Sequence, residues 1–234
     1  MDIVERRRSR KDGLRRDILA AARTMFAEEG FEAVTMRKLA ARIEYSPTAI
    51  YLHFRDKDAV LEAVCEETFA QLAERLAKVA ARGLPPLDFL REGLRLYVRF
   101  GLQHPSDYTL TFTLRGRRHE ADPAQFAASA GFRAFDYLRQ ALRSCIDSGD
   151  LPELDVEVAA QSLWAAMHGI VSLFIAHSGE FPLVSRTKLV EHTIETTIAG
   201  LRGSAGRETK RAGLRGHPPR RRPEVGSPRN GLTR

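Results

Sequence analysis

Residues 35–57, TMRKLAARIEYSPTAIYLHFRDK, place two short helix patterns on either side of a tight break. In the first pattern, Thr35 to Ile43, the residues Met36, Leu39, Ala40 and Ile43 share one face at i, i+3, i+4, i+7 spacing. Thr35 is a good N-cap because its hydroxyl can accept from free backbone N–H groups of the first turn. The break falls at Glu44-Tyr45. Ser46 then caps a second helix whose first position is Pro47, where a missing N–H costs nothing. That helix, Pro47 to Phe54, is about two turns long and too short to stand alone. A chain carrying it must hold it rigidly against its neighbours, at an angle to the helix before it, which is the helix-turn-helix arrangement.

The surrounding residues sharpen this reading. Ser46-Pro47-Thr48-Ala49-Ile50-Tyr51-Leu52-His53-Phe54 is followed by Asp56-Lys57-Asp58 and a long apolar-periodic helix. Before it, Arg16 to Gly30 forms a helix with Ile18, Leu19, Ala22, Met25 and Phe26 on its apolar face, closed by Glu28-Glu29-Gly30-Phe31. Over residues 14–65 the chain resembles the DNA-binding domain of TetR-family transcriptional regulators. Glu44 departs from that pattern, where a Gly in the turn is usual. The resemblance implies that the short helix enters a major groove, with Pro47, Thr48 and Ala49 facing base edges. Arg37 would reach a guanine or a phosphate, Tyr51, His53 and Lys57 would meet phosphates, and Tyr45 would add a contact from the turn. Thr35 and Ser46 complete the set as caps at the same surface. The chemistry agrees: Arg donates as a planar fork, hydroxyls donate to phosphate oxygens, and a helix N-terminus favours anions. Phe54 reads as core, and packing is the competing reading for Tyr51 and His53.

Gly/Pro breaks are sparse up to residue 201, and the segments between them carry a helical period, so the fold class is all-α. Residues 1–13 read as a disordered basic arm, 14–57 as the helix-turn-helix unit, 58–201 as a helical sensing and dimerisation domain, and 202–234 as a disordered basic tail. Beyond the third helix the pattern predicts a helix capped by Asp56 and reaching Arg82, then helices over 87–103, to Leu114 from a Ser106 or Asp107 cap, 123–148, 155–177 and 185–201. Charge follows the same division. Residues 1–57 hold thirteen basic and nine acidic side chains, 58–201 fourteen and nineteen, and 202–234 ten and two. Basic ends around an acidic middle suit a chain that meets nucleic acid with one part and something else with another.

The second half also carries a resemblance. Tyr97-Val98-Arg99-Phe100-Gly101-Leu102-Gln103-His104-Pro105, then Tyr108, Phe112, Trp164 and His168-Gly169, are similar to the TetR C-terminal class named for its Trp-His-Gly motif. It implies an all-helical dimerisation and ligand-sensing domain. Aromatic and polar side chains trapped among helices are the candidates for an effector pocket: Phe69, Tyr97, Phe100, His104, Tyr108, Phe112, Phe135, Trp164 and His168. Each is also compatible with plain core packing. Gly169 suggests close approach by another helix. The wide apolar arc of 156–176, with 185–201, suggests a four-helix homodimer interface.

Several classes find no support. Cys65 and Cys145 lie on separate helices, without zinc-type spacing, and read as free thiols. No Ser/His/Asp set, carboxylate pair, phosphate loop or metal spacing rises above chance, so neither an enzyme, a cofactor nor a metal is expected. The N-terminus lacks a signal-peptide core, and the most apolar stretch, 163–176, is too short for a bilayer span. A cytoplasmic regulator of double-stranded DNA, released from a palindromic operator by a small molecule, is the expected function. A DNA-binding regulator without a small effector, and a nonspecific nucleoid-type binder, are the rivals.

Overall fold

The computed structural model describes residues 3–114, 124, 127–177 and 184–214. Among these residues the chain is helical and contains no strand. Helices α1 (Ile3–Glu28), α2 (Met36–Arg42) and α3 (Pro47–Tyr51) form a three-helix unit. Its core is closed by Ile18, Leu19, Phe26, Leu39 and Ile50, all at most 2% exposed. Helix α4 (Lys57–Ala80) leads out of it. Helices α5 (Pro86–Gln103), α6 (Pro105–Thr109), α7 (Ala130–Asp147), α8 (Val156–Ala176) and α9 (Arg186–Leu214) follow, with a π-helical turn at Leu110–Leu114 continuing α6.

Local chemistry sets most of these boundaries. The Asp56 carboxylate accepts from the Ala59 N–H at 2.8 Å and opens α4. Asp155 accepts from both Glu157 and Val158 and opens α8. Ser129 accepts from Phe132 and caps α7, whose first residue, Ala130, is seven positions after the expected start at 123; Phe126 and the basic loop 115–119 lie outside the described residues. Helix α3 stops at Tyr51 rather than Phe54, although His53 and Phe54 still donate to the Ile50 carbonyl.

At both ends the helices run past the expected boundaries. Helix α1 begins at Ile3, within the basic arm. Glu, Arg and Lys are good helix formers, and no Gly or Pro interrupts them before Gly13. At the other end, α9 continues past Leu201 to Leu214; residues 215–234 lie outside the described set.

The second core gathers Leu90, Leu94, Leu142, Leu163, Met167, Ile194 and Ile198 from α5, α7, α8 and α9. Helix α8 is, contrary to the expectation for 163–176, long and apolar enough at 21 residues to cross a membrane by length and composition. Leu163, Met167, Val171 and Phe174, on one face of it, are buried against the neighbouring helices. Two forked ion pairs tie α5 to α9: Arg91 to Glu195 at 2.8 and 2.9 Å, and Arg95 to Glu191 at 2.8 and 2.7 Å.

The glycine that permits close helix approach is Gly101 on α5. A Cβ there would lie 2.6 Å from Val171 Cγ1 and 2.9 Å from the Tyr108 ring. At Gly169 a Cβ would meet nothing within 4 Å in this chain, so the expected close neighbour is absent among the described residues. Gly101→Ala is therefore expected to cost about 1–3 kcal/mol through overpacking, despite the roughly 1 kcal/mol gain in helix propensity. Gly93→Ala on the same helix, where the nearest atom is Leu76 Cδ2 at 3.8 Å, should be neutral or stabilising. Urea unfolding of the two variants checks this; equal effects would contradict the packing assignment.

Candidate nucleic-acid interface and internal cavity

The turn between α2 and α3 is closed by backbone hydrogen bonds. The Tyr45 N–H donates to the Ala40 carbonyl at 3.0 Å and the Glu44 N–H to Ala41 at 3.3 Å. This is the Schellman pattern, which needs a left-handed residue after the helix. Glu44 supplies it with φ 58°, the one positive φ of a non-glycine residue among those described. The usual Gly is thus replaced without a change of turn, at the cost of left-handed strain.

Caps then fix α3. Ser46 Oγ accepts from the Ala49 N–H and Thr35 Oγ1 from the Lys38 N–H, each at 3.2 Å. Ile50 and Phe54 anchor the helix in the first core. Its opposite side is open: Ser46, Pro47 and Thr48 are exposed, as is Arg37 on α2, and Ala49 is half-buried. Tyr45 in the turn, Tyr51 at the end of α3 and Leu52 after it are 46%, 53% and 76% exposed, which gathers large apolar surface around one short helix.

His53 is half-buried. Burial, then the nearby Lys11 and Arg15 cations, hold it below its ordinary pKa. The Arg15 guanidinium lies 4.6 Å above the Phe54 ring, and Lys38 donates to the Ala33 carbonyl at 2.8 Å and the Glu29 carboxylate at 3.1 Å. Leu52, Arg15 and Lys38 were not singled out in the sequence, though the basic arm that carries Lys11 was visible. Lys57, expected at a phosphate, instead turns inward: its ammonium donates to the Phe31 carbonyl at 2.7 Å and sits 4.1 Å from the Phe31 ring centre.

A cavity of about 80 Å³ lies between α4, α5, α7 and α8. Of the nine aromatic and polar candidates, Phe69, Tyr97, Phe135 and Trp164 line it. The aliphatic wall of Leu72, Leu76, Leu138 and Met167, with Gly93, carried no sequence signal beyond helical periodicity. Tyr108, Phe112 and His168 form a cluster joined to it through Tyr97 and Trp164. Phe112 lies 4.8 Å from His168 and 6.1 Å from Trp164, centre to centre. Phe100 and His104 are elsewhere, packed on each other at 4.9 Å under Arg75, which contacts His104 Nε2 at 3.3 Å.

One chain of hydrogen bonds runs through the cluster. Trp164 Nε1–H donates to Tyr97 Oη at 3.2 Å, Tyr97 and Tyr108 hydroxyls are 3.0 Å apart, and Tyr108 Oη bonds His168 Nδ1. His168 Nε2 lies 3.4 Å from Ser172 Oγ. With Nε2 protonated, Nδ1 accepts from Tyr108, Tyr108 from Tyr97 and Tyr97 from Trp164, so every member is satisfied. Burial pushes the Tyr97 hydroxyl up to about 12, raises Tyr108 further, and lowers His168. All three are neutral at pH 7.

Helix α6 joins this cluster to the three-helix unit. Tyr108 faces His168, whereas its neighbour Asp107 meets Arg23 Nε of α1 at 2.8 Å. Neither of those two atoms has another partner. Leu110, in the following turn, is part of the first core.

Two outcomes follow from these geometries. Glu44→Gly should relieve left-handed strain and raise unfolding stability by about 1 kcal/mol in urea; a loss would show that Glu44 makes a compensating contact. For His168, the folded pKa is depressed, so the unfolded chain takes up the proton first as pH falls. Its contribution is present above pH 6.5 and lost below it. The melting temperature should drop more steeply between about pH 7.5 and about pH 5.5 in the native protein than in His168→Gln; parallel curves would contradict this.

Comparison with known proteins places both halves. Residues 18–64 match the family model for bacterial regulatory proteins of the tetR family, and residues 90–197 that for the tetracyclin repressor-like C-terminal domain. The chain is 32% identical over 190 residues to the HTH-type transcriptional repressor Rv1474c of Mycobacterium tuberculosis, covering 77% of this chain and 92% of that one. It is 29% identical over 168 residues to the nucleoid occlusion factor SlmA of Sodalis glossinidius, covering 70% and 84%. Its fold matches that of the transcriptional regulator FadR from Bacillus subtilis in complex with stearoyl-CoA, with TM-score 0.67 and 20% identity, over 79% of this chain and 97% of that one. A capped recognition-type helix on a three-helix unit, a helical second half and a full-length relative at this identity lead to one assignment: the chain belongs to the TetR family of DNA-binding transcriptional regulators, and is not an enzyme.

Proposed function

We propose that the protein is a homodimeric, ligand-responsive repressor whose two α3 helices enter successive major grooves of a palindromic operator. The observation that carries this reading is the open face of α3, where Thr48 and Tyr51 stand exposed on a helix pinned by Ser46, Ile50 and the Glu44 turn. Arg37, Pro47, Thr48 and Ala49 read base edges in this account. Tyr45, Tyr51 and His53 meet phosphates, with Lys11 and Arg15 adding charge beside His53. Repression is suggested by the relative named a transcriptional repressor.

A second copy covers the outer face of α8 and α9. Val158 and Leu173 are 61% and 47% exposed, and Ala165, Ala176, Ala199 and Gly200 are exposed beside them. Small residues on such a face let two helix pairs approach closely, which gives Gly169 a partner that one chain alone does not supply.

An effector in the cavity acts on α4. Phe69, Leu72 and Leu76 line the cavity, and Val60, Leu61 and Val64, on the same helix, are in the core of the DNA-binding unit. Half-sites about one helical turn apart, roughly 34–36 Å, tolerate little change in the spacing of two recognition helices. The cavity, and a neighbour of this fold in complex with stearoyl-CoA, favour this over a regulator without an effector. The likeness to a nucleoid occlusion factor keeps the other rival, a nucleoid-type DNA binder, in view.

Footprinting of the full-length protein on the DNA upstream of its own gene tests the proposal. Two protected half-sites related by a near-palindrome are expected. Arg37→Ala and Thr48→Ala should relax base preference by about 1–3 kcal/mol at a bidentate contact and less at a methyl contact, whereas Tyr51→Phe should weaken all sequences alike. Unchanged affinity in all three variants at physiological salt would overturn the interface.

A further inference from the structure

The chemistry of the cavity walls restricts what can bind there, an inference that rests on the ligand-responsive reading above. Among the described residues, no charged side chain lines the cavity. Its walls are Phe, Leu, Ala, Gly and Met, and the only lining side chains with polar atoms are Tyr97, Tyr137 and Trp164. Trp164 Nε1–H already donates to Tyr97 Oη, and Tyr97 is joined through Tyr108 to His168, a group that burial keeps neutral. A carboxylate or phosphate taken into this space would lose its water and find no cation among the described lining residues.

Size points the same way. At about 80 Å³ the cavity is about half the volume of a roughly 150 Å³ apolar cavity that takes up benzene. A ligand larger than this must move the walls apart or extend out through the open side. Rings and aliphatic chains can slide past a hydrocarbon and keep their contacts, whereas a hydrated or charged group gains nothing from the same displacement.

One polar atom can be satisfied. The Tyr97–Tyr108–His168 chain runs in either direction, because each hydroxyl can donate or accept and the His168 tautomer can exchange. With Nδ1 protonated, His168 donates to Tyr108, Tyr108 to Tyr97, and the Tyr97 hydroxyl is free to donate to a ligand oxygen. With Nε2 protonated, Tyr97 Oη keeps a lone pair for a ligand hydroxyl. We infer that the effector is an uncharged, mostly hydrocarbon molecule with one hydroxyl or carbonyl group, seated against Tyr97 and Trp164. Free carboxylates and coenzyme A thioesters are disfavoured, in contrast to the stearoyl-CoA of the structural neighbour.

Three probes of equal chain length separate the possibilities: 1-octanol, octanoate and octanoyl-coenzyme A, each titrated into the full-length protein. Trp164 is the one tryptophan of the chain and lines the cavity, so its fluorescence reports occupancy, with calorimetry as an independent readout. Octanol should bind saturably, and octanoate and the thioester at least about 100-fold more weakly. Gly93→Val, which projects into the cavity, should weaken octanol by roughly tenfold or more, with melting curves followed by circular dichroism as the control for folding. Octanoate or octanoyl-coenzyme A binding as tightly as octanol, or no octanol binding in a folded protein, would overturn the inference. Operator footprinting without ligand keeps the two readings apart: a footprint with no octanol binding sinks the ligand class alone, whereas octanol binding with no footprint sinks the regulator reading.

Discussion

One stiff helix belongs to two cores. Helix α4 carries Val60, Leu61, Val64 and Cys65 into the three-helix unit, and Leu72, Ala73, Leu76 and Val79 into the packing against α5 and α7. Close-packed interiors do not deform continuously, so neither end of α4 can shift without repacking the other. Helix α6 and the turn after it make a second link on a different surface, through the half-buried Arg23–Asp107 pair and Leu110. Partly buried pairs of this kind add little net stability, but breaking one leaves a charge without its partner. Their consequence here is geometric: the pose of the three-helix unit is tied to the packing around the cavity at two points.

The cavity sits where that tie is most sensitive. Phe69 and Leu76 belong to α4, and Tyr97 reaches Tyr108 of α6 by a hydrogen bond. A molecule that pushes the α4 wall, or draws on the Tyr97 hydroxyl, acts on both links to the DNA-binding unit. The polar groups beside it are arranged as a neutral chain rather than as charges.

Local chemistry was the most legible part of the sequence. The caps Thr35, Ser46, Asp56 and Asp155 act on N–H groups two or three residues away, so their effect is written in adjacent positions. The Glu44 departure could be seen but not its resolution, because a left-handed residue is decided by the backbone bonds of Tyr45 and Glu44 to α2. Facing partners were less legible. Aromatic residues at helical spacing do not reveal which neighbour they meet, so Phe100 and His104 joined Arg75 while Phe69 and Trp164 reached the cavity. Gly101 and Gly169 look alike in sequence and differ only in what lies opposite. Lys57 was expected at a phosphate, and its ammonium donates to the Phe31 carbonyl, from a segment 26 residues away.

The most direct test is a distance between the two DNA-binding units of the proposed dimer. Cys65 and Cys145 are buried, so Ala27→Cys, at an exposed position on α1, can be spin-labelled selectively and the inter-label distance measured by pulsed electron resonance. The account predicts one narrow distance on operator DNA, displaced or broadened when the cavity is filled. The same distribution with DNA, with a bound ligand and with neither would contradict it, because the two cores joined by α4 would then move independently.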